Sequence, residues 1–137
     1  MNEQTVINAI AMALAPTGAT VYVTEIKQNI SDGDFLIQSL QPGYTMMITD
    51  HYQASYPFDV IYITDDKEKA LAMADTLFDL LEEIDTSDGR IRGSGFSWHW
   101  TDGALHFLVT YPVHVYRPRE KGPMMKKLTV NGGVANG

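Results

Sequence analysis

Residues 96–116, Phe-Ser-Trp-His-Trp-Thr-Asp-Gly-Ala-Leu-His-Phe-Leu-Val-Thr-Tyr-Pro-Val-His-Val-Tyr, constrain the fold more than any other stretch of the chain. Two alternating apolar runs flank Asp102-Gly103. A two-residue type I′ turn needs positive φ at both central positions, and an Asp-Gly pair meets that need with little strain. Such a turn makes Trp100 face Leu105, His99 face His106, Trp98 face Phe107 and Phe96 face Val109. One face of the hairpin is then wholly apolar, and Tyr111, Val113 and Val115 continue it. A chain built around this element must form a sheet.

The remaining elements follow from periodicity and punctuation. Val6, Ile7, Ile10, Ala11 and Leu14 recur at helical spacing and predict a helix over 3–15, stopped by Pro16 and Gly18. Residues 19–26 are β-branched and aromatic and predict a strand; Phe35 to Leu40 predict a second. A turn at Gln41-Pro42-Gly43-Tyr44 leads to a long third strand element, 45–63. Met46, Ile48, Asp50 and Tyr52 fall on one of its faces, and Met47, Thr49 and His51 on the other. Pro57 lacks a ladder donor, which predicts a bulge, a bend or an edge position there. A second helix is predicted over 66–84, capped by Asp65 with Glu68 three residues on. Its buried stripe is Ala70, Met73, Ala74, Leu77, Phe78, Leu81 and Ile84. Glu82 and Glu83 load its last turn with acid, against the helix dipole, unless a basic neighbour offsets them. Asp85 to Gly89 is a turn, and Arg90 to Gly95 leads into the hairpin.

The order α-β-β-β-α-β-β, with mostly short connections, predicts an α+β fold: a mostly antiparallel sheet with two helices packed on one face. The expected organisation is a single domain over 1–117 followed by a basic, Gly-rich arm or tail over 118–137. Met124 to Val130 is a short strand or arm in this reading.

Charge is divided unevenly. Residues 1–116 hold five Lys/Arg against sixteen Asp/Glu, whereas residues 117–137 hold five against one. The acidic body would repel phosphates over most of its surface, which argues against tight nucleic-acid binding. There is no cysteine, so disulfides, thiolate metal sites and a thiol nucleophile are excluded. No apolar run approaches the roughly 18 residues a membrane span needs. The Met-Asn-Glu-Gln-Thr-Val-Ile start lacks the basic stretch of a signal peptide, and a cytoplasmic product is expected.

Catalytic patterns are missing. Gly93-Ser94-Gly95 is not a five-residue nucleophile elbow, and no phosphate-binding loop exists. The acidic pairs Asp65-Asp66, Glu82-Glu83 and Asp85-Asp88 sit at turns and helix ends, where Asp caps or turns the chain. His99 and His106 are cross-strand neighbours and could hold zinc or nickel with a third ligand. His114 cannot supply it, because eight extended residues carry it roughly 26 Å away. A metal-binding protein or small enzyme built on this pair is the lesser alternative, and no metal or cofactor is expected.

Exposed apolar groups are more suggestive. Both faces of the 45–63 element are apolar or aromatic, and one sheet face must lack helix cover. With Met124 and Met125 in the tail, the chain carries more sticky surface than a monomer of this size comfortably exposes. The candidate assembly residues are Met47, Tyr52 and Tyr56 in the third strand element, Arg90 and Arg92 ahead of the hairpin, and Arg117, Met124 and Met125 in the tail. Arg90 and Arg92 pair either with a partner or with the chain's own carboxylates.

Three segments, in order and spacing, resemble the small tail-terminator-type proteins of phages and prophages. They are Val21-Tyr22-Val23-Thr24-Glu25-Ile26-Lys27-Gln28, then Tyr56-Pro57-Phe58-Asp59-Val60-Ile61-Tyr62, then Arg92-Gly93 with Asp102-Gly103-Ala104-Leu105-His106-Phe107 and Tyr111. Gly33-Asp34 stands where such proteins usually carry Pro-Cys. The resemblance implies a ring, commonly a hexamer, that caps the finished tail tube and offers the docking surface for the head–tail connector protein. Its implied partners are its own copies, the tail tube protein and that connector. DNA passes through the hole without specific binding, and no reaction, cofactor or membrane is involved. The implied setting is the host cytoplasm during assembly and the virion tail or neck afterwards. The alternative within the same setting is another connector component, such as a stopper or completion protein.

Overall fold

A computed structural model describes residues 1–23, 30–48 and 50–116. Arg117, Met124, Met125 and the arm over 118–137 lie outside the described residues, as do residues 24–26 of the predicted first strand. The described residues divide into two units, 1–44 with 53–113, and 45–52 with 114–116.

The first unit opens with helix α1 (Glu3–Leu14), whose Asn2 side chain accepts the Thr5 N–H at the N-terminus. Pro16 tightens its end into a 3-10 turn over Ala15–Thr17, and Gly18 closes it at φ 77°. Strand β1 (Val21–Val23) lies parallel to β2 (Phe35–Ser39), in the register Val21 to Phe35. Short connections had predicted antiparallel neighbours here, so this pairing is a departure.

The 45–63 element is a second departure. It is two strands, β3 (Gly43–Ile48) and β4 (His51–Ile63), which pair with each other. Asp50 makes the reversal at φ 67°, a left-handed conformation that Asp tolerates better than most residues. Pro57 neither bulges nor breaks β4, which runs unbroken for 13 residues. Regular pairing with β2 stops one residue short of it, at Ser39 with Phe58, and the Pro57 carbonyl takes the Leu40 N–H at 2.9 Å.

Helix α2 (Lys67–Leu81) starts and stops inside its predicted limits. Asp66 is the cap, its carboxylate accepting the N–H groups of Glu68 and Lys69 at 2.9 and 3.4 Å. Asp65 is not, because the buried Thr64 hydroxyl takes the Asp66 N–H and turns Asp65 toward Gly103. The helix ends at Leu81 because β5 (Glu83–Thr86) begins there and forms a two-stranded sheet with β6 (Gly89–Arg92). Ile84 is therefore buried from a strand and not from the helix. Two carbonyls at the end of α2 find donors elsewhere: Gly93 N–H reaches Glu82 at 2.8 Å, and the Tyr111 hydroxyl reaches Leu81 at 2.6 Å.

Strands β7 (Ser94–Thr101) and β8 (Ala104–Tyr116) form the hairpin predicted around Asp102-Gly103, with φ 52° and 76° at the turn. Trp100 pairs with Leu105, His99 with His106, and Trp98 with Phe107. The expected Phe96–Val109 pair is displaced by a register shift between Ser94 and Ser97, where Gly95 takes φ 63°. Gly93, just before it, sits so close to its neighbours that a Cβ would lie 2.8 Å from a Val109 methyl.

The large sheet has the order β1-β2-β4-β8-β7 with β3 on β4, mostly antiparallel, and the fold is α+β as predicted. Period-two burial marks its core face: Ala54, Tyr56, Phe58 and Val60 on β4, and Leu105, Phe107, Val109, Tyr111 and Val113 on β8. Both helices meet this face. Glu3 of α1 accepts the Ser39 hydroxyl, and Leu81 of α2 accepts that of Tyr111. Val6, Ile7, Ile10 and Leu14 of α1 and Ala70, Ala74, Leu77 and Leu81 of α2 complete the core.

In the second unit, the rings of His51 and Tyr116 meet edge-on with centroids 5.1 Å apart. Among the described residues, no helix is long and apolar enough to cross a membrane.

Candidate assembly surface

The histidine pair is real but committed. The two-residue turn stacks His99 on His106, with ring centroids 4.9 Å apart and planes 11° from parallel. His106 Nδ1 meets Asp59 Oδ2 at 2.8 Å, on the sheet face away from the core. Asp59 Oδ1 is buried without a hydrogen-bond partner. Among the described residues, no three His, Asp or Glu side chains come together as a metal ion would need.

Arg90 and Arg92 lie on the exposed side of β6, directly opposite acids of β5. The register sets Arg92 against Glu83 and Arg90 against Asp85. Arg92 reaches Glu83 at 2.8 Å, and Arg90 Nε donates to Asp85 at 2.8 Å. That hydrogen bond holds the Asp85 carboxyl below the usual carboxylate range and raises Arg90 in turn. Of the two readings for these arginines, the structure supports pairing within the chain. The same contacts neutralise Glu83 at the end of α2, whereas Glu82 forms no ion pair among the described residues.

Tyr56 points into the core, 4% exposed. Burial above all, then Tyr44 and Glu3, pushes its phenol above the ordinary tyrosine range. Tyr52 is half-buried, and Met47 is exposed. All of β3 is exposed, including Tyr44, Met46, Met47 and Ile48, the last at 65%. Alternation put these side chains on two faces of one strand, and the turn at Asp50 leaves both faces open to solvent.

A second apolar surface was not legible as such. Helical spacing put Phe78 in the buried stripe of α2, and cross-strand pairing put Trp98 on the apolar face of the hairpin. Phe78 is 42% exposed and Trp98 45%. With Ala74, Asp75, Phe96, Ser97 and Phe107 they line a hollow of about 280 Å³ between α2 and β7. Phe96 holds it together, meeting Phe78 edge-on at 5.0 Å and Phe107 at 6.1 Å. The register shift at Gly95 is what brings Phe96 under Phe78 rather than squarely opposite Val109.

The α+β frame thus carries an exposed apolar strand and an aromatic hollow, while Arg90, Arg92 and His106 are paired with acids of the same chain. The chain matches the family of phage tail terminator proteins over residues 5–123, and it belongs to that family. This is the family whose pattern residues 21–28, 56–62 and 92–111 resemble, and it makes the chain a structural component of the phage tail. None of the curated proteins matches it.

Proposed function

We propose that copies of this chain close into a ring, a hexamer, at the end of the tail tube, ending tube growth and presenting the surface on which the head–tail connector docks. The observation that carries the reading is the solvent-exposed apolar strand β3 on a member of the terminator family. A ring needs a heterologous contact between two different surfaces of one subunit. In this reading Met47 and Tyr52 take part in that contact or in the contact with the tube, and the protein assembles in the host cytoplasm before residing in the tail or neck. Arg117, Met124 and Met125 belong to an arm that reaches a neighbour. DNA passes the hole without specific binding, its phosphates repelled by an acidic lining. No cofactor and no reaction enter.

The test is Met47→Lys in the full chain, added to tails that lack their terminator and examined by native mass spectrometry and electron microscopy. Burying a methionine contributes roughly 1.5–3 kcal/mol, so the lysine weakens each contact by about ten- to a hundredfold. Rings and capped tubes are lost, while thermal stability stays within about 0.5 kcal/mol because the side chain is already exposed. Unchanged rings on tube ends, or wild-type protein that never leaves the monomer even with tubes present, would overturn the reading.

A further inference from the structure

The aromatic hollow has a rim of one charge. Asp75 lines it, and Asp79 and Glu82 follow at helical spacing beside Phe78. No Lys or Arg occurs between Ala70 and Gly89. Asp75, Asp79 and Glu82 form no ion pair among the described residues. The surface is thus an apolar cup beside an uncompensated acidic ridge, and the ligand it fits is an apolar side chain flanked by cations.

The chain carries one such sequence. Residues 117–137 hold five Lys/Arg against a single Glu, and Lys121 and Lys126-Lys127 bracket Met124-Met125. Methionine suits an irregular aromatic cup, since its unbranched thioether adapts to the walls and its sulfur is attracted to ring edges. Met124 lies eight residues beyond Tyr116, so an extended arm carries it up to about 27 Å from the end of β8. We infer that the hollow between α2 and β7 receives Met124-Met125 of a neighbouring copy, with Lys126 and Lys127 lying along Asp75, Asp79 and Glu82. The inference rests on the ring assembly proposed above and gives that ring its second contact. A strap of this kind adds effective concentration to the contact at β3 and ties each subunit to the next.

The absence of cysteine permits a clean test in the full chain. A tagged Ser97→Cys copy, on the rim of the hollow, is mixed with an untagged Met125→Cys copy and oxidised, alone and on terminator-deficient tube ends. Gln38→Cys, exposed on the opposite sheet face, replaces Ser97→Cys as the control. The Ser97–Met125 disulfide between copies dominates over the control. Reversing Lys126 and Lys127 to Glu lowers its yield about threefold to tenfold, the span expected of two exposed ion pairs. Asp75→Lys in the receiving copy does the same, and the two changes together restore it. Equal yield at Gln38, or indifference to the charge reversals, overturns the contact. Native mass spectrometry of the same samples separates the two proposals. Rings without the disulfide overturn the strap and leave the ring standing; the disulfide in species that never reach ring size supports the strap and overturns the ring; neither product on tube ends overturns both.

Discussion

Replacing Tyr111 by Phe isolates the bond that joins the end of helix α2 to the central sheet. The hydroxyl is fully buried and donates to the Leu81 carbonyl at 2.6 Å. That carbonyl lies past Phe78, the last acceptor of the helix's own bonding pattern. Tyr111→Phe leaves it buried without this donor, at a cost of about 1–3 kcal/mol. For a chain of 137 residues, each kcal/mol lowers Tm by about 3–5 °C, so a loss near 2 kcal/mol reads as a drop of roughly 6–10 °C. The pH dependence carries a second signature. Burial holds the Tyr111 phenol well above the ordinary tyrosine range. Above about pH 10 the unfolded chain releases this proton while the folded chain keeps it. Wild-type stability then falls with rising pH by up to about 1.4 kcal/mol per unit from this group, and the Phe variant has no such loss. Every other group is common to both proteins and cancels in the difference. The gap between the two is therefore full at pH 7 to 9 and closes by about pH 11.5, as measured by urea unfolding across that range. A gap under about 0.5 kcal/mol at pH 7, or one that stays constant from pH 9 to 11, would refute the reasoning.

Three further outcomes are expected. Gly93→Ala places a Cβ 2.8 Å from Val109 Cγ2, 2.9 Å from Phe96 Cζ and 3.2 Å from the Leu81 carbonyl, and denaturant titration shows a loss of about 1–3 kcal/mol. Gly103→Ala combines φ 76° with a Cβ 2.7 Å from the Asp65 carboxylate, and it costs about 1 kcal/mol or more in the same assay. Arg90→Ala returns the Asp85 carboxyl toward its ordinary range, seen in a carboxyl carbon NMR titration. Because the pair lowers the Asp85 value in the folded state, any stability it adds is present at neutral pH and fades as the carboxyl is protonated in acid.

What the sequence discloses depends on how local the cause is. The β7–β8 hairpin was legible because Asp102-Gly103 carries its own turn chemistry and the flanking residues alternate. Both helices were legible from the spacing of their buried residues, and so were the limits of α1, but the ends of α2 were not. The choice between Asp65 and Asp66 as cap is made by Thr64 and Gly103, the latter 38 residues farther along the chain. The split of 45–63 was hidden because Asp50 turns the chain without Gly or Pro, and apolar alternation continues on both sides. The β5–β6 hairpin was hidden for the opposite reason. Its outward residues, Glu83, Asp85, Arg90 and Arg92, form a charge ladder with no hydrophobic period to betray a strand. Excess apolar surface was foreseeable from Met46, Met47 and Ile48. The hollow was not, because its exposure comes from the meeting of Phe78 and Trp98 on elements far apart in sequence.

Helix α2 is fastened to the β7–β8 hairpin at both ends. At its start, Thr64 N–H bonds to the Gly103 carbonyl at 2.9 Å while the Trp100 indole donates to the Thr64 carbonyl at 3.0 Å. At its finish stands the Tyr111–Leu81 bond. The helix therefore cannot lift from the hairpin one end at a time without breaking buried hydrogen bonds. Amide hydrogens of α2 and of β8 over 105–113 should exchange with solvent in a single cooperative opening, with one common free energy. The walls of the hollow then act as a preset mould, and whatever enters it does the adapting.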